Sequence, residues 1–356
     1  MDYLSTETLN VVEDDYQLYM PLEFDIPFPP PADPAFKFID LFAGIGGFRI
    51  AFQKLNGKCV FSSEINSSAK STYEQNFGET PFGDIKDFTG SHLKDSFLNS
   101  AIPDHDILTG GFPCQPFSLA GVSARNHLGI AHGFLDKNQG NLFFDIARIV
   151  KIKQPNVVFL ENVKNFKNHD SGNTFDIVKS IMLELGYDFH SKIINANKLV
   201  PQSRERFYMV CFRNGNASFE FPEFSGEPKI LRNILEPIVA DKYTISDKLW
   251  QGHQRRTHAN LARGTGFTAH TANLDKPSNT IVARYGKDGK ECLIPQENKN
   301  PRKLTPRECA RLQGFPENYI LPSSDAAAYR QFGNSVAVPV IEAIGKNIVK
   351  ALKNNA

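Results

Sequence analysis

The sequence lacks the features that mark several specialised classes of protein. It has no run of about 18 apolar residues, so no membrane-spanning helix is expected. Its first residues, MDYLSTETLN, hold no basic stretch ahead of an apolar one and do not read as a secretory signal. Its five cysteines stand singly at positions 59, 114, 211, 292 and 309, never as CxxC, which suggests neither a zinc site nor a disulfide framework. A reducing, cytoplasmic compartment is the expectation. Positive charge is absent before Lys37, whereas Asp2, Glu7, Glu13, Asp14, Asp15, Glu23, Asp25 and Asp33 are acidic. Removing those eight negative charges from a net +1 leaves +9 for the remainder. A mildly basic body is compatible with a polyanionic partner and equally with an ordinary solvated surface.

What is present is an alternation of short apolar runs and amphipathic stretches. The 356 residues allow one large domain or two smaller ones. Residues 1–35 are acidic, end in the cluster Pro27, Pro29, Pro30, Pro31 and Pro34, and read as a poorly ordered extension. Phe36 to Phe42 reads as a buried strand. A glycine turn follows, then a helix with Phe48, Ala51, Phe52 and Leu55 on one face, and a second strand from Cys59 to Ile65. This βαβ unit implies a parallel sheet with helices on its faces. Strands ending at Thr109, at Leu160 and at Phe212, with helices beginning at Leu142 and near Phe175, extend the pattern to a doubly wound α/β domain over 36–222. Residues 223–304 are polar, with scattered glycines and arginines, and read as a smaller, mostly irregular or β domain with short strands such as Asn279 to Arg284. Residues 305–356 open on a capping box (Thr305, Pro306, Glu308) and close on a helix whose Ile341, Ile344, Ile348 and Leu352 share a face. That face must pack on the α/β domain.

The turn Asp40-Leu-Phe-Ala-Gly-Ile-Gly-Gly sits between a strand and a helix. Its glycines let the backbone approach a ligand closely at a helix N-terminus. Glu64 ends the next strand, about 20 residues on, where an acid can accept from two ribose hydroxyls. Together they point to an adenosine-containing cofactor, against a glycine turn with only a packing role. Arg49 replaces the third glycine of the dinucleotide pattern, which counts against a pyrophosphate. Asp84 is either an acceptor for an adenine amino group or an ordinary loop aspartate.

Gly110-Gly-Phe-Pro-Cys-Gln-Pro-Phe-Ser118 follows a strand that ends at the carboxyl edge of the sheet, where ligands bind in open α/β folds. A lone cysteine is usually a small buried hydrophobe. Flanked by prolines and glycines in a loop, Cys114 reads instead as an exposed thiol suited to covalent attack.

DLFAGIGGF, GGFPCQPFS, Glu161-Asn-Val, QSRER at 202–206 and QFGNSV at 331–336 occur in that order. Together they resemble the bacterial DNA (cytosine-5)-methyltransferase family, of the restriction-modification type, over residues 36–222 and 302–356. The resemblance implies a Rossmann-like, S-adenosyl-L-methionine-dependent methyltransferase domain, with a mostly parallel sheet, and a target recognition domain over 223–304. It implies base flipping of a cytosine from double-stranded DNA, methylation at carbon 5, and a functional partnership with a restriction endonuclease or, alternatively, an orphan enzyme. A monomer is expected. The implied catalytic set is Cys114, Glu161, Arg204 and Arg206. Cys114 adds to carbon 6, Glu161 shares a proton with N3, Arg206 contacts O2, and Arg204 supports the cysteine loop or the phosphates. Asn162 would hold the local backbone. The implied cofactor set is Asp40, Phe42, Gly44, Gly46, Gly47, Glu64, Ile65, Asp84, Ile85, Gly111, Pro113, Leu142, Asn334 and Val336. Gln115, Ser118, Arg125, Arg255, Arg263, Thr280 and Arg284 are the candidate DNA contacts, and the glycine-flanked segment with Arg125, His127 and His132 would close over the flipped base. No metal is called for. An amino-methyltransferase would need an Asp/Asn/Ser-Pro-Pro-aromatic loop, which Phe112-Pro113-Cys114-Gln115 is not. An RNA cytosine methyltransferase is the closest chemical rival, and the eighty or so residues before Arg302 favour DNA.

Overall fold

The computed structural model describes residues 10–11, 18–19, 26–113, 142–213, 215, 218–264 and 269–355. Six strands build the central sheet: β1 (Phe36–Leu41), β2 (Gly57–Ser63), β3 (Ile107–Gly111), β4 (Val157–Val163), β5 (His190–Asn195) and β6 (Glu205–Phe212). Their order across the sheet is β2-β1-β3-β4-β6-β5. β2, β1, β3 and β4 run parallel, and β6 and β5 are each antiparallel to their neighbours. The helices are α1 (Gly47–Lys54), α2 (Ser67–Phe77), α3 (Asp95–Ala101), α4 (Leu142–Lys153), α5 (Asn173–Glu184), α6 (Asp247–Arg263), α7 (Pro306–Leu312), α8 (Asp325–Asn334) and α9 (Val338–Asn355), with short 3₁₀ and single-turn pieces between them.

Strand periodicity divides the apolar residues between two layers. Phe38, Val157, Phe159, Tyr208, Val210 and Phe212 face one layer with α1, α2 and α9. Ile39, Leu41, Val158, Leu160, Phe207 and Met209 face the other with α3, α4 and α5. Each fully buried Phe, Ile or Leu contributes about 1.5–3 kcal/mol. The face expected on the last helix is present: Ile341, Ile344 and Ile348 are buried in the first layer, and Leu352 packs against it half-buried.

Two regions differ from their expectations. The extension read as poorly ordered is packed in its proline-rich part. Phe28 lies 5.8 Å from the Phe77 ring and 6.0 Å from Tyr319. Its N–H donates to Asn76 O at 3.1 Å, and Ala35 N–H donates to Asn56 O at 2.8 Å. Prolines lose little freedom on ordering, and one aromatic anchor with side-chain support from Gln53 Nε2 to Phe28 O and Pro29 O holds the strap. The second difference is within 223–304, where the 17-residue α6 stands in a stretch read as irregular or β. The expected strand from Asn279 to Arg284 is only two residues long. Ser278–Asn279 pairs in parallel with Gln202–Ser203, and the chain then turns into the single-turn helix Tyr285–Asp288. Ile281 and Tyr285 are both fully buried on either side of this turn. Ile281, Tyr285, Cys292, Ile294 and Leu304 belong to the same apolar core as α1 and α9.

Candidate active site

β1 is flanked by β2 on one side and β3 on the other, so the chain reverses its direction of travel across the sheet there. The crevice outside the carboxyl ends of those strands is the expected ligand site. A cleft of about 760 Å³ opens at that place. Its lining gathers Phe42, Gly44, Gly47, Glu64, Ile65, Asp84, Ile85, Gly111, Pro113, Leu142, Asn334 and Val336. The same cleft holds Glu161, Arg204 and Arg206.

The turn after β1 is bent through the left-handed region at Phe42 (φ 56°), Gly44 (φ 54°) and Gly46 (φ 80°). For Phe42 that conformation is strained, and such strain collects at ligand sites. Gly46 has a second constraint, since a Cβ there would meet the Phe77 ring at 2.2 Å. Gly47 lies under Val336, whose Cγ2 would be 2.6 Å from an added Cβ, so α1 and the segment after α8 touch backbone to side chain. Glu64 is fixed at the end of β2. One carboxylate oxygen accepts from Gly44 N–H at 2.8 Å and the other from Asn66 N–H at 2.7 Å. Asp84 Oδ1 accepts from Lys86 N–H at 3.0 Å and leaves the carboxylate on the cleft wall.

Asp40 and Gly46 do not line the cleft. Asp40 is completely buried beneath the turn. Burial pushes its carboxyl pKa well up, against the pull of the Arg49 guanidinium. Arg49 is itself wholly buried and is not a stand-in for a phosphate-facing glycine. Its guanidinium lies 4.6 Å over the Phe77 ring, donates to Tyr73 Oη at 3.1 Å, and also reaches Gln53 and Glu79. Through Arg49, α1 is tied to Tyr73 and Phe77 of α2.

The Glu161 carboxylate is placed by strand register. β3 and β4 pair Gly111 with Glu161, and a Cβ on Gly111 would lie 3.5 Å from Glu161 Oε2, so this side chain lies over the end of β3. Burial raises the Glu161 pKa, and Arg206 and then Arg204 lower it in part. Arg206 Nε is 3.1 Å from Glu161 Oε1. Asn162 Nδ2 donates to Phe112 O at 2.9 Å and its Oδ1 accepts from Val163 N–H, which ties β4 to the start of the cysteine loop. Cys114, Gln115, Ser118, Arg125, His127 and His132 lie outside the described residues.

The model of the family described as C-5 cytosine-specific DNA methylase matches residues 36–350. The chain belongs to this family. It is a DNA (cytosine-5) methyltransferase. It is 51% identical over 327 residues to the type II methyltransferase M1.ScrFI of Lactococcus lactis subsp. cremoris, covering 90% of this chain and 79% of the relative. It is 50% identical over 322 residues to M.NlaX of Neisseria lactamica, covering 89% and 97%. Among solved structures, the Dnmt2 methyltransferase of S. pombe superposes with a TM-score of 0.69 at 20% identity, covering 89% of this chain and 99% of the other, a likeness of fold.

In this methyltransferase Arg204 is 2% exposed, so of its two expected roles the contact with phosphates is not served. Its guanidinium donates to Ile281 O at 3.2 Å, to Gly333 O at 3.3 Å and to Ser335 O. It therefore positions the cleft walls. Thr280 is likewise inward, its hydroxyl donating to Ser203 O at 2.6 Å. Arg255, Arg263 and Arg284 are exposed. The sequence reading missed Val282, Ala283, Arg330, Gln331 and Ser335 as cleft residues. Gln331 and Ser335 lie inside the quoted QFGNSV motif and Arg330 adjoins it, while Val282 and Ala283 lie between Thr280 and Arg284, which were named. Among the described residues no cluster of His, Cys, Asp or Glu suits a metal ion, and no helix is long and apolar enough to cross a membrane.

Proposed function

We propose that this chain transfers the methyl group of S-adenosyl-L-methionine to carbon 5 of a cytosine turned out of a short, specific double-stranded DNA sequence, through a transient bond between Cys114 and carbon 6. The observation that carries this reading is the buried Glu161 carboxyl, paired with Arg206 and lying over Gly111, three residues before Cys114. The cleft suits the cofactor by its donor set. Glu64 offers a pre-oriented carboxylate for ribose hydroxyls. Asp84 offers an acceptor. Phe42, Ile65, Ile85, Leu142 and Val336 offer apolar walls, and Asn334 a polar end. When bound, the cofactor supplies an electrophilic methyl group on a sulfonium sulfur.

The residues of the chain make the base reactive. Addition of the Cys114 thiolate to carbon 6 moves an electron pair through the ring toward N3 and O2. Glu161 gives its proton to N3, and Arg206 offers N–H donors to O2. Carbon 5 of the resulting enamine is then nucleophilic. After it is methylated, carbon 5 gives its proton to solvent water, the C5–H electron pair restores the 5,6 double bond as the C6–S bond breaks and the thiolate departs, and Glu161 recovers the proton from N3. The target atom is inaccessible in a stacked duplex, so the base must be extruded. The type II relatives support a role in protecting DNA from a partner nuclease.

Cys114→Ser is expected to abolish methyl transfer while cofactor binding persists. Duplex DNA carrying 5-fluorocytosine is expected to trap the intact enzyme in a denaturation-resistant adduct, because fluorine cannot depart as a cation. Turnover by the serine variant would refute the covalent scheme. Bisulfite sequencing of DNA from cells that express the enzyme would report both the target sequence and the atom.

A further inference from the structure

The segment after Thr280 is pinned on both sides of one exposed arginine. Ile281 is fully buried, with its N–H held by Gln202 Oε1 at 2.9 Å and its carbonyl by Arg204. Tyr285 is fully buried, with its hydroxyl donating to Cys292 O at 2.6 Å and accepting from Leu304 N–H at 2.8 Å. Between these anchors, Val282 and Ala283 line the cleft. Their backbone is pressed on α8 so closely that a Cβ on Gly333 would lie 2.3 Å from Val282 C. Arg284 follows directly, with its side chain 63% exposed. Its Nε lies 3.8 Å from Glu291 Oε1. The Glu291 side chain is 8% exposed, and its second oxygen has no hydrogen-bond partner.

We propose that Arg284 reads a guanine one or two base pairs from the target cytosine, its guanidinium aimed by the buried carboxylate of Glu291. This rests on the methyltransferase function proposed above and names a specificity determinant of the same site. Ala283 stands on the wall that receives the extruded base, so a side chain one residue further on is within reach of the neighbouring pairs. Guanine offers O6 and N7 in the major groove as a pair of acceptors that a guanidinium fork matches. The alternative, a phosphate contact, gains nothing from a buried carboxylate, which partly cancels the charge a phosphate needs. A bidentate base contact does gain, because it requires a fixed orientation and not charge alone. A guanidinium whose Nε faces the carboxylate at 3.8 Å still has two terminal nitrogens to donate.

The test uses the full chain and a pool of duplexes in which the positions around one cytosine are randomised, with methylated molecules identified by bisulfite sequencing. The unaltered enzyme is expected to require guanine at one position within two pairs of the cytosine. Arg284→Ala should lower discrimination at that position by roughly 10-fold or more and leave the other positions as they were. Arg284→Lys should lose as much, because lysine keeps the charge without the fork. Glu291→Gln should lose less at the same position, and nothing further when combined with Arg284→Ala. Arg284 is exposed, so its two variants carry the test even if the buried Glu291 variant folds poorly. Full discrimination by Arg284→Lys, or an even slowing on all sequences with a shallower salt dependence, would overturn the assignment in favour of a phosphate contact. No methylated cytosine with the unaltered enzyme would overturn the underlying function together with it.

Discussion

In the proposed reaction Glu161 has one duty that its surroundings decide. A carboxyl that must hand a proton to N3 has to hold that proton at working pH, and burial raises the Glu161 pKa in that direction while Arg206 and Arg204 oppose it. The donating form is complete below the shifted pKa and is lost as pH rises through it. Formation of the thiolate of Cys114 has the opposite dependence, so the single-turnover rate is expected to be bell-shaped in pH. Glu161→Gln should lower that rate by about 10²–10⁴-fold and remove the falling limb, since an amide donates a hydrogen bond but no proton. Arg206→Ala should move the falling limb to higher pH, because Arg206 is the larger of the two charges that pull the carboxyl down. A falling limb that survives unchanged in the glutamine variant would assign that limb to another group. The Glu-Asn pair at the end of β4 could be picked out from sequence only through its motif. Its register opposite Gly111 could not, because register is a property of two strands at once.

The elements were legible to the extent that they bury a face. β1, α1, β4 and α9 carry strong apolar patterns and stand where the sequence placed them. α6 buries only His253, so it has no stripe to read. Its end signals were nevertheless present: Ser246 caps the first turn by accepting from Leu249 N–H at 3.3 Å, Arg263 lies in the last turn, and Gly264 closes it at φ 63°. At α7 the end signals were read and the full capping box is formed. Thr305 Oγ1 accepts from Glu308 N–H at 3.1 Å, and Glu308 Oε2 accepts from Thr305 N–H at 2.9 Å. The sequence did not show that Glu308 also holds buried Arg302 through two bonds of 2.7 and 2.8 Å, and Glu236 N–H at 2.8 Å. The two variants should therefore differ. Thr305→Ala removes a cap and is expected to cost about 1 kcal/mol in urea unfolding. Glu308→Ala strands a buried guanidinium and is expected to cost roughly 3–5 kcal/mol. Equal losses would mean that the ion pair adds nothing beyond the cap.

At the scale of the whole molecule, the cleft is made by segments that are far apart in sequence, and this is what motif reading cannot show. The glycine turn, the Glu-Asn pair and QFGNSV each identify a wall, but not what keeps the walls together. Arg204 does so. It leaves the start of β6 and donates to the carbonyls of Ile281, Gly333 and Ser335, which belong to the 223–304 segment, the end of α8 and the link to α9. The Ile281 and Gly333 carbonyls are buried and have no solvent to replace the guanidinium, while the Ser335 carbonyl is part-buried, and each unpaired buried acceptor costs about 1–3 kcal/mol. Arg204→Ala is therefore expected to lower the unfolding free energy by roughly 2–5 kcal/mol and to reduce methylation at the same time, because Val282, Ala283, Gly333 and Ser335 all line the cleft. Arg204→Lys keeps the charge, but a single ammonium cannot span the three acceptors as a planar fork does, so it should recover only part of both losses. A solvated arginine at a strand end predicts a change within about 0.5 kcal/mol for either variant. That result in urea titrations would remove Arg204 as the staple of the cleft.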